Sequence, residues 1–394
     1  MADVLPTRHP GDETYWSSVR AQYPKAADRI NLENGYFGTQ ATAVFEAWQQ
    51  LERQIHLENS FFMRERKPAL VAAAQSRLAE FSGCDASELL ITRNVIEALN
   101  IVIQGYPFAA GDDVIVASHD YDEVVEIVRM VSARKGLTVQ RVVMPLDPRS
   151  DEEIVEVYRR AIAPRTRVLL LTHMVPRTGQ IMPVQKISAM AREHDIDTIV
   201  DAAHSYAHLD FKVSDLGADF VGVNLHKWLG TPLGIGMLYI RQARIAEISP
   251  LFGDVNHAAS VIAKLGNFGT VPPGPILTIP DAIAFQLGIG SANKEARLRY
   301  LKEYWLTRVR GLRKVRSLTP SDPNRSCAIA TFSIDGLPAP EVARRLLSDY
   351  GIFTVVRKID GDEGVRVTPN LSTSIAELDL LVAAIGSLAH EQAR

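Results

Sequence analysis

The chain has 394 residues, 46% of them apolar, and a formal charge of −3. That length allows a sizeable core and roughly two domains, while the near-neutral balance gives no electrostatic case for nucleic acid or an acidic membrane surface. No apolar run reaches the roughly eighteen residues that would span a bilayer, and two cysteines, Cys84 and Cys327, support neither a disulfide framework nor a thiolate metal site; both point to a reducing cytoplasm and to no metal.

The N-terminus, MADVLPTRHPGDETYW, is polar and carries no apolar segment of the kind a secretion signal needs. Residues 1–30 read as an irregular arm with a short helix near Glu13–Gln22. The segment Asn31-Leu-Glu-Asn34-Gly-Tyr-Phe-Gly38 is rich in turn residues and precedes a helix from about Ala41. Phe61-Phe-Met-Arg-Glu-Arg-Lys67 is a charged cluster, read as the solvated start of a helix over Ala69–Phe81, with Arg64 or Arg66 as a weaker candidate for an anion contact. From Glu88 the chain alternates. Strands are predicted at Leu89–Thr92, Asp113–Ala117, Thr138–Val143, Arg167–Thr172, Asp197–Val200, Asp219–Val223 and Gly236–Ile240. Amphipathic helices are predicted at Ile96–Gln104, Glu123–Lys135, Asp151–Ala163 and Pro183–His194. This is the pattern of a mostly parallel sheet covered on both faces. Pro272, Pro273 and Pro275 mark a crossing. A long helix, about Asp281–Leu312, then leads into strands near Ile329–Ser333 and Gly364–Thr368 and helices over Ala339–Tyr350 and Ile375–Leu388. The expected division is an arm (1–30), a large α/β domain (31–280) and a small C-terminal α+β domain (281–394).

The stretch from Ile196 to Arg241 organises the rest. Its apolar runs stop at Asp201 and at Asn224-Leu225-His226-Lys227, so an aspartate and a lysine both stand where a strand ends. Ligands of open α/β sheets bind outside these carboxyl ends. A strand-end aspartate and a solvated lysine are the plainer reading of either residue alone. Together they suit one chemistry: a lysine amine holding pyridoxal 5'-phosphate as a Schiff base, and a buried carboxylate keeping the pyridine nitrogen protonated so that the ring draws electrons.

Asp201-Ala-Ala-His204 resembles the D-x-A-H/Q signature of the class V aminotransferase family of fold-type I pyridoxal phosphate enzymes. His226-Lys227 resembles that family's cofactor-lysine motif. The string HKWLGTPLGIGMLYI is similar to the branch containing isopenicillin N epimerase. The resemblance covers about residues 28–390. It implies a fold-type I architecture, with a large, mostly parallel seven-stranded sheet domain and a smaller C-terminal α+β domain, and a homodimer with a shared active site. It also implies roles. Arg93-Asn94-Val95-Ile96-Glu97-Ala98 is similar to the phosphate-binding turn, with Val95 and Ile96 where hydroxyls are usual, so that only their backbone N–H groups remain. Tyr121 matches the ring that stacks on the pyridine. His204 is the candidate for the cofactor's phenolic oxygen, because Val175 and Pro176 stand where relatives carry a polar side chain. His226 is a phosphate candidate, and Thr270 the residue that reaches a neighbouring subunit's phosphate. Arg366, in Gly364-Val-Arg366-Val-Thr-Pro-Asn370, matches the arginine for the substrate's α-carboxylate, with Asn34 beside the entrance.

The reaction so implied is a Lys227-dependent proton transfer at Cα of a small amino acid. Epimerisation is preferred, with transamination and a thiol-independent Cβ elimination as alternatives. Inversion needs a second proton donor, and Tyr121 or Tyr36 would serve if a nearby cation lowers the phenol's pKa. A desulfurase is disfavoured, since IFTVVRKIDGDEGVR, which ends at Arg366, holds no cysteine. Of other classes, a catalytically silent binding protein on the same fold is favoured by Val95, Ile96 and Val175 and opposed by Asp201, Lys227 and Arg366. A nucleotide-binding Rossmann protein lacks its G-x-G-x-x-G.

Overall fold

The seven apolar runs form one sheet. In the computed structural model, which describes residues 6–359 and 361–392, they are β1 (Leu89–Thr92), β2 (Asp113–Ala117), β3 (Thr138–Val142), β4 (Thr166–Thr172), β5 (Asp197–Asp201), β6 (Phe220–Asn224) and β7 (Gly236–Ile240). Residues 1–5 of the expected arm, and 360 and 393–394 of the expected C-terminal domain, lie outside the described residues. The order across the sheet is β1-β7-β6-β5-β4-β2-β3, and β7 alone runs against the others.

Side chains along a strand point alternately to the two faces, and along the central strands both faces are buried. Ile115, Leu169, Leu171 and Val221 pack into one core with Ile154 and Ile187. Val114, Val116, Val168, Leu170 and Phe220 pack into another with Leu99 and Val128. The strands therefore read as continuous apolar runs. The helices that cover them include α1 (Glu13–Arg20), α2 (Thr42–Phe61), α3 (Lys67–Ser82), α4 (Val95–Gly105), α5 (Asp122–Lys135), α6 (Asp151–Ala161) and α7 (Val184–Glu193). The cluster at 61–67 departs from the expected helix start. Residues Phe62–Arg66 form a π-helical turn that joins α2 to α3, and Arg66 is paired through Nε with Glu58 at 2.9 Å.

The single long helix expected at 281–312 is two, α8 (Ile279–Ile289) and α9 (Ser291–Arg310). Gly290 between them has φ 87°, a left-handed conformation that no helix can carry through. Beyond it a four-stranded antiparallel sheet comprises β8 (Val315–Ser317), β9 (Ala330–Ile334), β10 (Val355–Ile359) and β11 (Asp362–Val367), in the order β10-β11-β9-β8. Helices α10 (Ala339–Tyr350) and α11 (Ile375–Glu391) complete this region. The N-terminal segment belongs to it in space. Ile30–Asn31 pair in parallel with Ile352–Phe353, Glu33 bridges to Thr368, and Leu32 is buried in one core with Trp305 and Phe332. No helix among the described residues is long and apolar enough to cross a membrane.

Candidate active site

Sheet register gathers the strand-end residues. Thr172 pairs with Asp201, and Asp201 with Gly222. Two residues on, Asn224 pairs with Gly236, which on its other side pairs with Thr92. The loop after β6 turns Lys227 back over this end. Lys227 Nζ lies 2.9 Å from His204 Nε2. Asp201 is buried, and its Oδ1 accepts the Ala203 N–H at 2.9 Å.

Burial dominates the electrostatics. It depresses the Lys227 amine to about 8; Asp201 and Glu33 oppose the shift, while Arg366 and Arg357 add to it. Burial likewise raises the Asp201 carboxyl above its ordinary value, against the pull of the Ala203 N–H and of Lys227. His204 is held neutral by burial, with the positive charges of Lys227 and Arg366 acting in the same sense. The site therefore presents an amine that is deprotonated for part of the time at neutral pH, a neutral imidazole touching it, and a carboxyl whose ionised form a cationic ligand would favour. The Nδ1 of His204 is buried and unpartnered.

The other expected residues fall as follows. Asn94 caps α4 by accepting the Glu97 N–H at 2.9 Å, and the Val95 N–H is donated to Asn224 Oδ1 at 2.8 Å. Of the expected pair of backbone donors, Val95 is therefore committed inside the protein. His226 places Nδ1 3.1 Å from the Ile235 carbonyl, so Nε2 is the ring atom available. Burial brings its pKa down to about 4. Tyr121 opens α5 and is 37% exposed. Its phenol moves opposite to the sequence-based expectation. Burial, then Glu123, push it up to about 12, because the nearby arginine, Arg357, is outweighed. Tyr36 is 75% exposed, and Thr270 is exposed at a bend.

Asn34 is not open to solvent. Its backbone N–H bonds Thr368 Oγ1 at 2.7 Å, and its side-chain amide bonds the Thr368 carbonyl at 2.8 Å, fastening the segment to the end of β11. Arg366 is buried and paired. Nη2 meets Glu33 Oε1 at 2.5 Å and Nη1 the Pro176 carbonyl at 2.8 Å. Burial lowers its pKa to about 10, with Glu33 opposing.

Sequence reasoning did not single out Glu33, Asn224, Gly38 or Arg357. Arg357 sits on β10, which was not predicted. Gly38 donates its N–H to the His226 carbonyl at 3.1 Å, and a Cβ there would stand 1.9 Å from the Lys227 carbonyl oxygen, so only glycine permits this approach.

Comparison with known proteins identifies the family. The family model described as Aminotransferase class-V matches residues 42–367. Isopenicillin N epimerase of Streptomyces clavuligerus is 27% identical over 394 aligned residues, spanning 95% of this chain and 99% of that protein. Hercynylcysteine sulfoxide lyase of Schizosaccharomyces pombe is 20% identical over 72% of this chain and 74% of its own. Among solved structures, the apo form of a cysteine desulfurase from Thermococcus onnurineus superposes with a TM-score of 0.86 at 19% identity, covering 98% of this chain and all of that one.

Proposed function

Because the chain belongs to the class V aminotransferase family, we propose that it is a pyridoxal phosphate enzyme acting at Cα of a small amino acid, with epimerisation as its reaction. The observation that carries the cofactor assignment is the cluster of half-buried Lys227 with buried His204, 2.9 Å from its Nζ, and buried Asp201 at this end of the sheet. The donor set fits the group. An amine of depressed pKa suits an aldehyde, and a buried carboxylate suits a pyridinium nitrogen. The start of α4, at Val95–Ile96, suits a phosphate. When bound, pyridoxal phosphate supplies a sink for the electron pair left at Cα.

The chain's own groups supply the rest. Lys227, fixed by His204, takes the α-proton at Nζ. Its pKa near 8 keeps a usable neutral fraction at physiological pH. Asp201 gives charge complementarity to the cofactor ring, and Arg366 orients the substrate's carboxylate. Tyr121, with its phenol held protonated, is our candidate to return a proton to the opposite face; it acts as a donor and not as a base. Thr270, exposed in one chain, is assigned to the phosphate of a second copy, which makes the working unit a homodimer. The cytoplasm is its expected location.

Epimerisation rests on the near full-length similarity to isopenicillin N epimerase. A persulfide route is opposed by both thiols, which burial pushes up to about 12. The similarity to a sulfoxide lyase keeps a thiol-independent Cβ elimination as the second reading. The test is a screen of amino acids in deuterium oxide. An epimerase places deuterium at Cα of the inverted isomer and releases no keto acid. Keto acid formed with an amino acceptor identifies a transaminase. Pyruvate with a released β-group identifies a lyase.

A further inference from the structure

Arg366 is the residue expected to hold a substrate carboxylate, yet in the folded chain it already holds one. Glu33 Oε1 lies 2.5 Å from Nη2 and also accepts the Tyr36 N–H at 3.0 Å. The Pro176 carbonyl takes Nη1 at 2.8 Å. Both side chains are almost wholly buried, at 2% and 5% exposure. The backbone closes over them, since a Cβ on Gly35 would stand 2.6 Å from Nη2. The pair is incompletely satisfied. Arg366 Nε, Glu33 Oε2 and Asn34 Oδ1 are all buried without a partner, and in native proteins such atoms call for an explanation.

Two consequences follow from charge and geometry. A guanidinium grips a carboxylate best through two parallel N–H groups, and Glu33 holds one of the terminal ones. A buried Glu–Arg pair is also neutral overall, so much of the long-range attraction of Arg366 for an anion is cancelled where screening by water is weakest. We infer that Glu33 is a specificity-determining residue that competes with the substrate's α-carboxylate for Arg366, so that the site discriminates only weakly between an amino acid and its uncharged amide. This rests on the assignment of Arg366 to the substrate carboxylate. Removing the glutamate charge weakens the hold on Nη2, because a neutral amide oxygen is a poorer acceptor than a carboxylate, and restores a net positive site. Hydrogen bonds to a charged group carry enough energy for this to change affinity by about ten-fold or more.

The probes are 2-aminoisobutyrate, which has no α-hydrogen to lose, and its amide, each titrated calorimetrically into the cofactor-loaded protein. In the native protein the acid and the amide should bind within about ten-fold of each other. Glu33→Gln and Glu33→Asn should each strengthen acid binding about ten-fold and leave the amide unchanged. The second variant serves if the first does not fold. A native preference for the acid of about a hundred-fold or more, or unchanged acid binding in both variants, overturns the competition. Arg366→Gln separates this from failure of the underlying assignment. If that variant loses acid binding while Glu33→Gln changes nothing, Arg366 keeps its role and Glu33 loses its own. If acid binding survives both in Arg366→Gln and in its combination with Glu33→Gln, the carboxylate is held elsewhere and both readings fall.

Discussion

Gly38→Ala is the substitution whose effect the structure sets most directly. The backbone at Gly38 is not in the left-handed region, so alanine meets no conformational penalty there. The obstacle is steric. The added Cβ would lie 1.9 Å from the Lys227 carbonyl oxygen and 2.9 Å from its carbon, whereas real Cβ atoms keep at least 3.0 Å. Both neighbours are backbone and neither can swing aside. The entrance segment and the lysine loop must part by about an ångström, and the 3.1 Å bond from the Gly38 N–H to the His226 carbonyl stretches past hydrogen-bond range. Forcing an extra carbon into a packed site costs about 1–3 kcal/mol, and a displacement of about 1 Å at reacting groups costs roughly a hundred-fold in rate. Urea unfolding reads the first quantity. The rate at which pyridoxal phosphate is trapped by borohydride on Lys227, located by peptide mass spectrometry, reads the second. A variant as stable as the native protein that labels Lys227 at the native rate would refute the argument.

The same labelling tests the amine itself. Only the deprotonated form adds to an aldehyde, so with a pKa brought from 10.5 to about 8 the rate should climb with pH and reach half its plateau near pH 8. A midpoint near 10.5, or an adduct on another lysine, would contradict the assignment, and Lys227→Ala should abolish the adduct. Asn224→Leu leaves the buried Val95 N–H without its acceptor and should cost about 1–3 kcal/mol in urea unfolding; no loss of stability would show that the start of α4 is held by other contacts. Thr270→Val should weaken cofactor retention, and dilution of the native protein should release cofactor and activity together. A stable monomer with full cofactor occupancy in sedimentation would sink the shared site.

Strand ends were legible because they are a local matter. A chain that must bury both faces of a sheet needs unbroken apolar runs, and the first polar residues after a run mark where it leaves the core. Asp201 and Lys227 stand out for that reason, and the seven strands were located to within a residue or two. One outer strand of the C-terminal sheet was not legible. β10, Val-Val-Arg-Lys-Ile, is only partly buried, so its composition carries no core signal, and Arg357 was lost with it.

Pairings between distant segments were decided by the tertiary structure alone. Glu33 and Arg366 are separated by 333 positions, and Asn224 and Val95 by 129. No local pattern says which carboxylate will neutralise which guanidinium, or that a backbone donor expected to face a ligand will be taken by an asparagine. The direction of a pKa shift is equally non-local. A lowered phenol at Tyr121 was a fair expectation from one cation nearby, but burial and Glu123 outweigh that cation. The sequence by itself thus determined which residue types stand at the sheet's end, because solvent exclusion acts along each strand. Which of them remain free to meet a ligand was decided only when the chain closed on itself, because each buried polar group takes whatever partner folding brings within reach.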